Sequence, residues 1–303
     1  MKVLSLFDGI SGGQMALNGI GANVSTYLAS EIDKHAIANT MHNFPNTIQI
    51  GSVKELNVDE MVRQYGIPDI LIGGSPCQGF SMSGKLKGAA TSHGEEIYTL
   101  DRYLELKAQG FDFEGQSYLF WEYMRVLTEL RKYNQNILFF LENVEMLDKW
   151  ERCLSHAIGI RGVHINSALV SAQQRKRIYW TNIRVKDTGK TNLFDFDDDP
   201  FEPPTKKSDI PQPKDRGIVI DDILQNEAGD KYYLKDDIVG KLLDRTEKAK
   251  LKDYIMKPQM TLEELSEEIH RLEPQLLKEK INEIAKNGLK QEVERLKDIW
   301  CGT

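Results

Sequence analysis

A cysteine, a glutamate and two arginines in this 303-residue chain stand where their side chains could do chemistry. Cys77 follows the apolar run DILIGG and its SP turn, and a thiolate at the end of a buried strand is an effective nucleophile. Glu142 follows the apolar run ILFFL, where a carboxyl group needs a partner or a task such as proton donation. Arg175 and Arg177 alternate, so a strand would place both on one face. These residue types predict covalent catalysis in which fixed positive charge stabilises developing negative charge.

Each of these residues also has a simpler interpretation. Cys77 could be a small buried hydrophobic residue, and Glu142 could belong to a structural ion pair. The segment 153–186 contains six Lys or Arg residues and no Asp or Glu. That bias indicates either a phosphate-facing surface or a solvated strand edge that is protected by charge.

A second group of residues, near the N-terminus, predicts a ligand pocket. The apolar run 2–7 leads into the glycine-rich turn FDGISGG and then into a helix, which places backbone amides at the edge of a sheet. Glu31 lies about 20 residues further on, at the end of the next predicted strand, where an acid commonly accepts hydrogen bonds from ribose hydroxyls. This arrangement suits an adenosyl ligand, although the glycines could also serve only the tight turn.

The elements that must position these residues alternate along the chain. Short apolar runs predict buried strands, and 3.6-residue periodicity predicts helices between them. The predicted strands are 2–7, 24–29, 48–53, 69–74 and 136–144, and the predicted helices are 35–44 and one within 113–132. Continuous apolar strands that alternate with helices indicate an α/β fold with a doubly wound, Rossmann-like, mostly parallel sheet.

Composition predicts three regions: a catalytic domain over 1–190, a linker or exposed crossing over 191–217, and a smaller, mainly helical region over 218–303. The stretch 195–216 holds five of the ten prolines and many charges, so we expect it to lie outside the core. Helical periodicity continues over 261–300. The last helix carries an apolar stripe that could dock a second copy or another subunit: Leu289, Val293, Leu296 and Trp300.

The overall composition excludes several classes of protein. Hydrophobic residues make up 40% of the chain, which argues against wholesale disorder, and the net charge of −7 argues against nonspecific coating of nucleic acid. No apolar run reaches the roughly 18 residues of a membrane span, and the first residues are not typical of a signal peptide. The scattered residues Cys77, Cys153 and Cys301 predict neither a disulfide framework nor a metal site, so we expect a cytoplasmic protein.

The motifs together resemble those of the DNA (cytosine-5)-methyltransferases. FDGISGG is similar to the first cofactor motif of that family, and SPCQGFSMSGK is similar to its Pro-Cys motif with the mobile loop that follows. LENV resembles its Glu-Asn-Val motif, and Gln173, Arg175 and Arg177 match its Gln-x-Arg-x-Arg motif. The resemblance covers about residues 1–185 and implies the fold of the S-adenosylmethionine-dependent methyltransferases.

The resemblance also implies a reaction on a cytosine that is flipped out of double-stranded DNA. Cys77 would attack carbon 6 of the base, Glu142 would hold and protonate ring nitrogen 3, and Arg175 with Arg177 would stabilise charge. Phe7 would stack on the adenine of S-adenosylmethionine and Glu31 would bind its ribose. The full set of implied cofactor-binding residues is Phe7, Asp8, Gly9, Ile10, Ser11, Gly12, Glu31, Ile32, Ser52, Val53, Pro76 and Leu119.

Two departures from the family pattern leave alternatives open. Gly51-Ser52 stands where the family usually has Gly-Asp, and a serine is a weaker acceptor for the adenine amino group. The last two family motifs are not found within 186–303, so either a second copy or a separate subunit supplies them, or the protein is a reduced variant in which 218–303 is a reduced target-recognition or partner-docking region. The alternatives to a DNA methyltransferase of a bacterial or phage-infected cell are an RNA cytosine methyltransferase and a catalytically weak DNA-binding or regulatory subunit.

Overall fold

A computed structural model describes residues 1–76, 79–80, 89–189, 201 and 204–224, together with the single residues 238, 241 and 244. The chain divides into two compact units, Met1–Leu224 and Gln225–Thr303. In the second unit the three described residues, Ile238, Lys241 and Asp244, are helical. The described residues do not include Cys77, the predicted helices within 261–300 or the apolar stripe near the C-terminus. The predictions about them therefore stay predictions.

The first unit contains eleven strands and six α-helices among its described residues. The strands are β1 (Lys2–Leu6), β2 (Thr26–Ser30), β3 (Ile48–Gln49), β4 (Ile70–Gly74), β5 (Ala90–Thr91), β6 (Phe113–Glu114), β7 (Leu138–Val144), β8 (Val163–Asn166), β9 (Lys176–Thr181), β10 (Val185–Asp187) and β11 (Lys206–Ser208). The helices are α1 (Gly12–Gly19), α2 (Lys34–Asn43), α3 (Val58–Tyr65), α4 (Leu100–Ala108), α5 (Leu119–Arg131) and α6 (Asp148–Ile158). Among the described residues, no helix is long and apolar enough to cross a membrane.

Seven strands form one sheet in the order β3-β2-β1-β4-β7-β9-β8. The first five run parallel to their neighbours, whereas β9 is antiparallel to both β7 and β8. The chain moves outward from β1 to β3 and then crosses back to β4, which creates a switch point between β1 and β4. The prediction of an α/β fold with a doubly wound, Rossmann-like, mostly parallel sheet is therefore confirmed.

The two faces of the sheet are covered by different clusters of apolar side chains. Leu4 and Leu6 of β1 belong to the larger cluster, which contains buried residues of α3, α4, α5 and α6. Val3 belongs to a smaller cluster on the other face, against which Leu17 of α1 packs. This alternation explains why the strand sequences are apolar throughout rather than at every second position.

Two glycines allow close approaches to the central strands. A Cβ atom on Gly73 would lie 2.9 Å from the carbonyl oxygen of Leu6 and 3.1 Å from the ring of Tyr123. A Cβ atom on Gly13 would lie 2.3 Å from Cδ1 of Ile72. The Leu6 carbonyl is backbone and cannot move aside, so the absence of a side chain at Gly73 lets Tyr123 of α5 pack against the sheet, whereas at Gly13 the atom met is the end of the Ile72 side chain, which can shift.

The observed elements differ from the predicted ones in extent. The third predicted strand, 48–53, is reduced to the two residues of β3, because Gly51 adopts a φ of 77° and turns the chain. The stretch 195–216 was predicted to lie outside the core, and that is wrong for two of its described residues. Phe201 and Ser208 are buried, and the Ser208 hydroxyl exchanges hydrogen bonds with the backbone of Thr181. The boundaries 1–190, 191–217 and 218–303 stay predictions.

One carboxylate is buried inside the larger cluster. The Glu122 side chain on α5 is 0% exposed and is bonded by Lys107, by Arg125 Nε at 2.7 Å and by the Tyr103 hydroxyl at 2.5 Å. Burial alone would raise the pKa of Glu122, but the hydrogen bonds from Lys107, Tyr103 and Arg125 outweigh it and lower the pKa below its usual value. This ionised group therefore links α4 to α5.

We expect Glu122→Gln to lower the free energy of unfolding by about 3 kcal/mol, because it removes the buried anionic partner of Arg125 and leaves only the more exposed Glu129. Because the pKa of Glu122 is lower in the folded protein than in the unfolded chain, the ionised carboxylate stabilises the fold. The loss of stability in Glu122→Gln should therefore be complete above pH 4.5, the ordinary pKa of glutamate, and should become smaller as the pH falls below that value. Urea unfolding is followed by tryptophan fluorescence, since Trp121, Trp150 and Trp180 are buried in this unit.

Glu105→Gln is the matched control for this measurement. Glu105 also lies on a helix of this unit, but its side chain is 61% exposed in its pair with Arg102, and exposed ion pairs contribute little. Equal effects of the two substitutions would contradict the role given to the buried carboxylate.

Candidate active site

The predicted acid and the arginine motif lie at one edge of the sheet because of the directions of the strands. β1, β2, β4 and β7 are parallel, so their carboxyl ends lie together, and the antiparallel strand β9 begins at the same edge. In the register of the sheet Gly74 pairs with Glu142, and Val144 pairs with Arg177. The arginine motif therefore starts next to the place where the Glu-Asn-Val motif ends.

Both predicted arginines contact the predicted acid. Arg177 Nε donates to Glu142 Oε1 at 2.7 Å, and Arg175 Nη2 donates to the same oxygen at 3.2 Å. The Glu142 side chain is 26% exposed, that of Arg177 is 19% exposed and that of Arg175 is 45% exposed. Two guanidinium groups around one carboxylate leave an excess of positive charge at a site that a ligand can reach.

The position of Glu142 depends on the absence of a side chain at Gly74. A Cβ atom there would lie 2.9 Å from Glu142 Oε2. The two arginine contacts end on Oε1, so Oε2 occupies the space above the glycine. The functional requirement for Gly74 was not predicted, since nothing in the run DILIGG shows which residue of a neighbouring strand it pairs with.

Two buried side chains hold the backbone on either side of the Cys77-Gln78 dipeptide. Asn143 is 1% exposed, and its Nδ2 donates to Ser75 Oγ at 3.0 Å and to the Ser75 carbonyl at 3.4 Å. The Ser117 hydroxyl, also 1% exposed, accepts a hydrogen bond from Gly79 N at 2.7 Å. The segments that lead into and out of the predicted nucleophile are therefore fixed to β7 and to the turn before α5.

The turn between β1 and α1 has an unusual backbone. Phe7 and Ser11 have φ values of 54° and 61°, and Gly9 has a φ of 58°. Asp8 stabilises this turn, because it accepts hydrogen bonds from the Ser11 hydroxyl and, at 2.7 Å, from the Tyr27 hydroxyl. Burial and the neighbouring Asp8 raise the pKa of Tyr27 far above its usual value, which keeps it a neutral donor. The Asp8 carboxylate thus has a structural task within the loop.

Glu31 joins this turn to the end of β2. Its Oε2 accepts from Gly9 N at 2.8 Å, and its Oε1 accepts from Ile32 N at 2.7 Å and Asp33 N at 2.9 Å. A carboxylate offers about four lone-pair sites, so three backbone amides leave capacity for roughly one further donor. The prediction that Glu31 binds a ribose is compatible with this geometry, but most of its hydrogen bonds go to the protein.

A cleft of about 440 Å³ lies beside these residues. It is lined by Phe7, Ser30, Glu31, Ile32, Asp33, Ser52, Val53, Lys54, Pro76, Gln116 and Leu119. Seven of the twelve residues that the resemblance implied for cofactor binding are among them. The five others, Asp8, Gly9, Ile10, Ser11 and Gly12, form the turn behind the cleft and do not line it. Their cofactor-binding role stays a prediction, as does that of the seven.

Four residues of the lining were not predicted from the sequence: Ser30, Asp33, Lys54 and Gln116. Asp33 had a recognisable signal, because it caps α2 by accepting from His35 N and Ala36 N. Lys54 and Gln116 lie in irregular segments, where no periodicity indicates which way a side chain points.

The chemistry of the lining fits an adenosyl group. Phe7, Ile32, Val53 and Leu119 provide apolar contacts for a flat base, and Glu31 provides an acceptor for a ribose hydroxyl. Ser52 provides a hydroxyl whose oxygen also accepts from Lys54 N at 3.3 Å. A cleft of this volume is within the range of about 300–1,000 Å³ that holds ligands of such size.

Comparison with known proteins agrees with these observations. The family model of the C-5 cytosine-specific DNA methylases matches residues 1–158. The chain is 27% identical over 285 residues to the orphan methyltransferase M.Rho11sI of Bacillus phage rho11s, a match that covers 84% of this chain and 50% of the relative. It is 25% identical over 253 residues to the type II methyltransferase M.HgiCI of Herpetosiphon aurantiacus, covering 80% of this chain and 54% of that one. The chain thus spans about half the length of the curated relatives that it matches.

Among solved structures, a mutant of Spodoptera frugiperda DNMT2 matches with a TM-score of 0.48 and 20% identity, over 77% of this chain and 62% of that chain. The assignment of the fold rests on the strand order rather than on this likeness. The family model covers more than half of the chain. The chain belongs to the C-5 cytosine-specific DNA methylase family.

Proposed function

We propose that this chain transfers a methyl group from S-adenosylmethionine to carbon 5 of cytosine in double-stranded DNA, through a covalent adduct with Cys77. One observation carries the proposal. Pro76, the residue before Cys77, lines the same cleft as Phe7 and Glu31, while Glu142 pairs in register with Gly74, two residues before Pro76. A ligand in the cleft would therefore lie beside the segment of the nucleophile and near the acid.

The residues of the cleft would hold the cofactor by its adenosyl group. Phe7 and Leu119 would contact the base, Glu31 would accept a hydrogen bond from the ribose, and Ser52 would bond the edge of the adenine. When bound, S-adenosylmethionine supplies the methyl group on a sulfonium, which leaves as the neutral thioether. The chain itself must then hold the base, activate carbon 5 and remove a proton from it.

Cys77 activates the base by forming a bond between its sulfur and carbon 6. The electron pair of the 5,6 double bond then moves to carbon 5 and is delocalised through the ring to nitrogen 3. A proton from Glu142 neutralises the negative charge at nitrogen 3. Carbon 5 takes the methyl group. Loss of the carbon 5 proton to a base restores the double bond and expels the Cys77 thiolate, and the proton on nitrogen 3 returns to Glu142.

Arg175 and Arg177 contribute fixed positive charge to this sequence of steps. Their two contacts on Glu142 Oε1 orient the carboxyl group and stabilise it while ionised, after it has given up a proton. Arg175 is the more exposed of the two, so it is the better placed to contact the base directly.

The base must leave the duplex to reach such a site, because carbon 5 and carbon 6 are stacked inside it. The basic segment 153–186 supports a contact with DNA phosphates, because the side chains of its Arg175 and Lys176 are 45% and 61% exposed. Activity of the chain without a partner is not part of the proposal, because it spans about half of its relatives. A homodimer or a second subunit that completes it, in the cytoplasm of a bacterial or phage-infected cell, remains our hypothesis.

Cys77→Ser should abolish methyl transfer and leave cofactor binding within about twofold, because a serine hydroxyl is a far weaker nucleophile at neutral pH. The assay uses tritiated S-adenosylmethionine and double-stranded DNA, with the chain alone and with the products of neighbouring genes. A duplex that contains 5-fluorocytosine has no carbon 5 proton to lose, so an adduct on Cys77 should accumulate and be visible by mass spectrometry.

Cys153→Ser is the matched control, since Cys153 is buried in α6 and burial raises the pKa of its thiol to about 12, which keeps it unreactive. Methylation of DNA without an adduct on Cys77 would contradict the covalent mechanism. Methylation of RNA in preference to the duplex would contradict the proposed substrate.

Ser52→Asp should tighten the binding of S-adenosylmethionine by on the order of 1 kcal/mol, because a carboxylate accepts a stronger hydrogen bond from the adenine amino group than a hydroxyl does. Ser52→Ala serves as the comparison and should bind more weakly than the natural protein. Calorimetry on the three proteins measures both effects. If neither substitution changes the affinity, Ser52 does not contact the adenine.

A further inference from the structure

One part of the cleft lining has no regular secondary structure of its own. Ser52, Val53 and Lys54 follow the short strand β3 and precede α3. Within residues 52–56 the backbone forms two turn hydrogen bonds, from Glu55 N to Ser52 O at 3.1 Å and from Leu56 N to Val53 O at 3.3 Å. A third bond runs from Lys54 N to the Ser52 hydroxyl. Turns of this kind do not fix a cleft by themselves, so the segment depends on groups outside it.

Those groups come mainly from α5. Arg125 Nη2 donates to the carbonyl oxygen of Val53 at 2.9 Å, and Arg125 Nη1 donates to that of Leu56 at 3.2 Å. From α4, Lys107 Nζ approaches the carbonyl oxygen of Lys54 at 3.4 Å. Three carbonyl groups of the segment are therefore held by cationic side chains, and such charge-assisted bonds are stronger than those between neutral groups.

Arg125 is itself held in one orientation. Its side chain is 11% exposed, its Nε donates to the buried Glu122 at 2.7 Å, and its Nη1 pairs with Glu129 at 3.2 Å. The planar guanidinium group thus bonds the anions of its own helix through Nε and Nη1, and the backbone beside the cleft through Nη1 and Nη2. A lysine at this position could neutralise Glu122 but could not reproduce this fork of donors.

The same helix also contributes to the cleft directly. Leu119, the first residue of α5, lines the cleft, and Gln116 lies just before the helix. One rigid element therefore carries one part of the lining and fixes the backbone of another part, so the relative position of the two parts is set by α5.

We propose that Arg125 is a positioning residue for the cofactor cleft: by bonding the Val53 and Leu56 carbonyls, with Lys107 on the Lys54 carbonyl, it holds the segment 52–56 at a fixed place relative to Leu119. The inference rests on the proposed function, because the cleft is taken to bind S-adenosylmethionine. The competing explanation is that Arg125 serves only the stability of the fold as the partner of Glu122.

Arg125→Lys separates these explanations, because it keeps the positive charge beside Glu122 and removes the fork that reaches Val53 and Leu56. We expect the dissociation constant for S-adenosylmethionine, measured by calorimetry, to rise at least about tenfold, with the melting temperature close to that of the natural protein. Arg131→Lys is the matched control, because Arg131 lies in the last turn of the same helix, over the ring of Phe139. The Arg131→Lys variant should bind the cofactor as tightly as the natural protein does.

Hydrogen exchange gives a readout that does not require the cofactor. In the ligand-free protein, Arg125→Lys should speed exchange at the amides of Lys54, Glu55 and Leu56, and should leave the amides of α3 unchanged.

If Arg125→Lys does not fold, Lys107→Met removes the donor to Lys54 O from a partly exposed position. That variant should raise the dissociation constant about threefold.

An unchanged dissociation constant in whichever of these variants folds would overturn the proposal. Equal losses of affinity and melting temperature in Arg125→Lys and Arg131→Lys would overturn it as well, since that pattern reports general destabilisation. A natural protein that binds no S-adenosylmethionine contradicts the proposed function instead. In that case faster exchange at 54–56 in Arg125→Lys would still support the positioning of the segment, and unchanged exchange would contradict it.

Discussion

The direction of the strands is the constraint on which the rest of the site depends. β1, β2, β4 and β7 are parallel and end at one edge, and the antiparallel β9 begins there. Side chains that are far apart in the sequence thus meet because they share a position along their strands rather than because they are neighbours in the chain. A reversal of β9 would carry Arg177 to the far end of the sheet from Glu142, with every local element unchanged.

Close packing around two glycines is the second requirement for the arrangement of side chains at this edge of the sheet. Glu142 fits because Gly74 has no side chain, and α5 reaches the sheet because Gly73 has none. These two adjacent glycines therefore serve different neighbours, one the acid and the other the helix. The backbone turn at Phe7 and Ser11 is likewise held in place by Asp8, whose carboxylate bonds add to the backbone hydrogen bond from Ser11 N to Asp8 O.

Buried charge connects the interior of this unit with its cleft. Glu122 is fully enclosed, and a lone carboxylate in that position would be strongly unfavourable. Its partner Arg125 has more donors than Glu122 can accept, and the remaining ones bond the backbone beside the cleft. The arginine that neutralises the buried Glu122 thus also bonds the backbone beside the cleft, where a ligand would bind. This explains why a charged network lies in the middle of an otherwise apolar cluster.

The class of fold and most of the central strands could be predicted from the sequence alone, and the candidate reactive groups follow from residue type. Continuous apolar runs mark buried parallel strands, and the types of Cys77, Glu142 and the two arginines limit the chemistry whatever their arrangement. The first, second, fourth and fifth predicted strands correspond to β1, β2, β4 and β7, because burial on both faces leaves a strong local pattern. The short strands β5 and β6 and the helix α4 were not predicted.

Only the tertiary structure decided which groups meet and which residues hold them. The roles of Gly74, Ser117 and Arg125 depend on atoms contributed by residues that are 38 to 72 positions away in the sequence. Periodicity reports which face of an element is buried, but it does not report the partner on that face. Glu31 also had the residue type of a ribose ligand, yet the fold directs three backbone amides to it. Register and long-range hydrogen bonds have no local signature, since they arise only when the elements pack together.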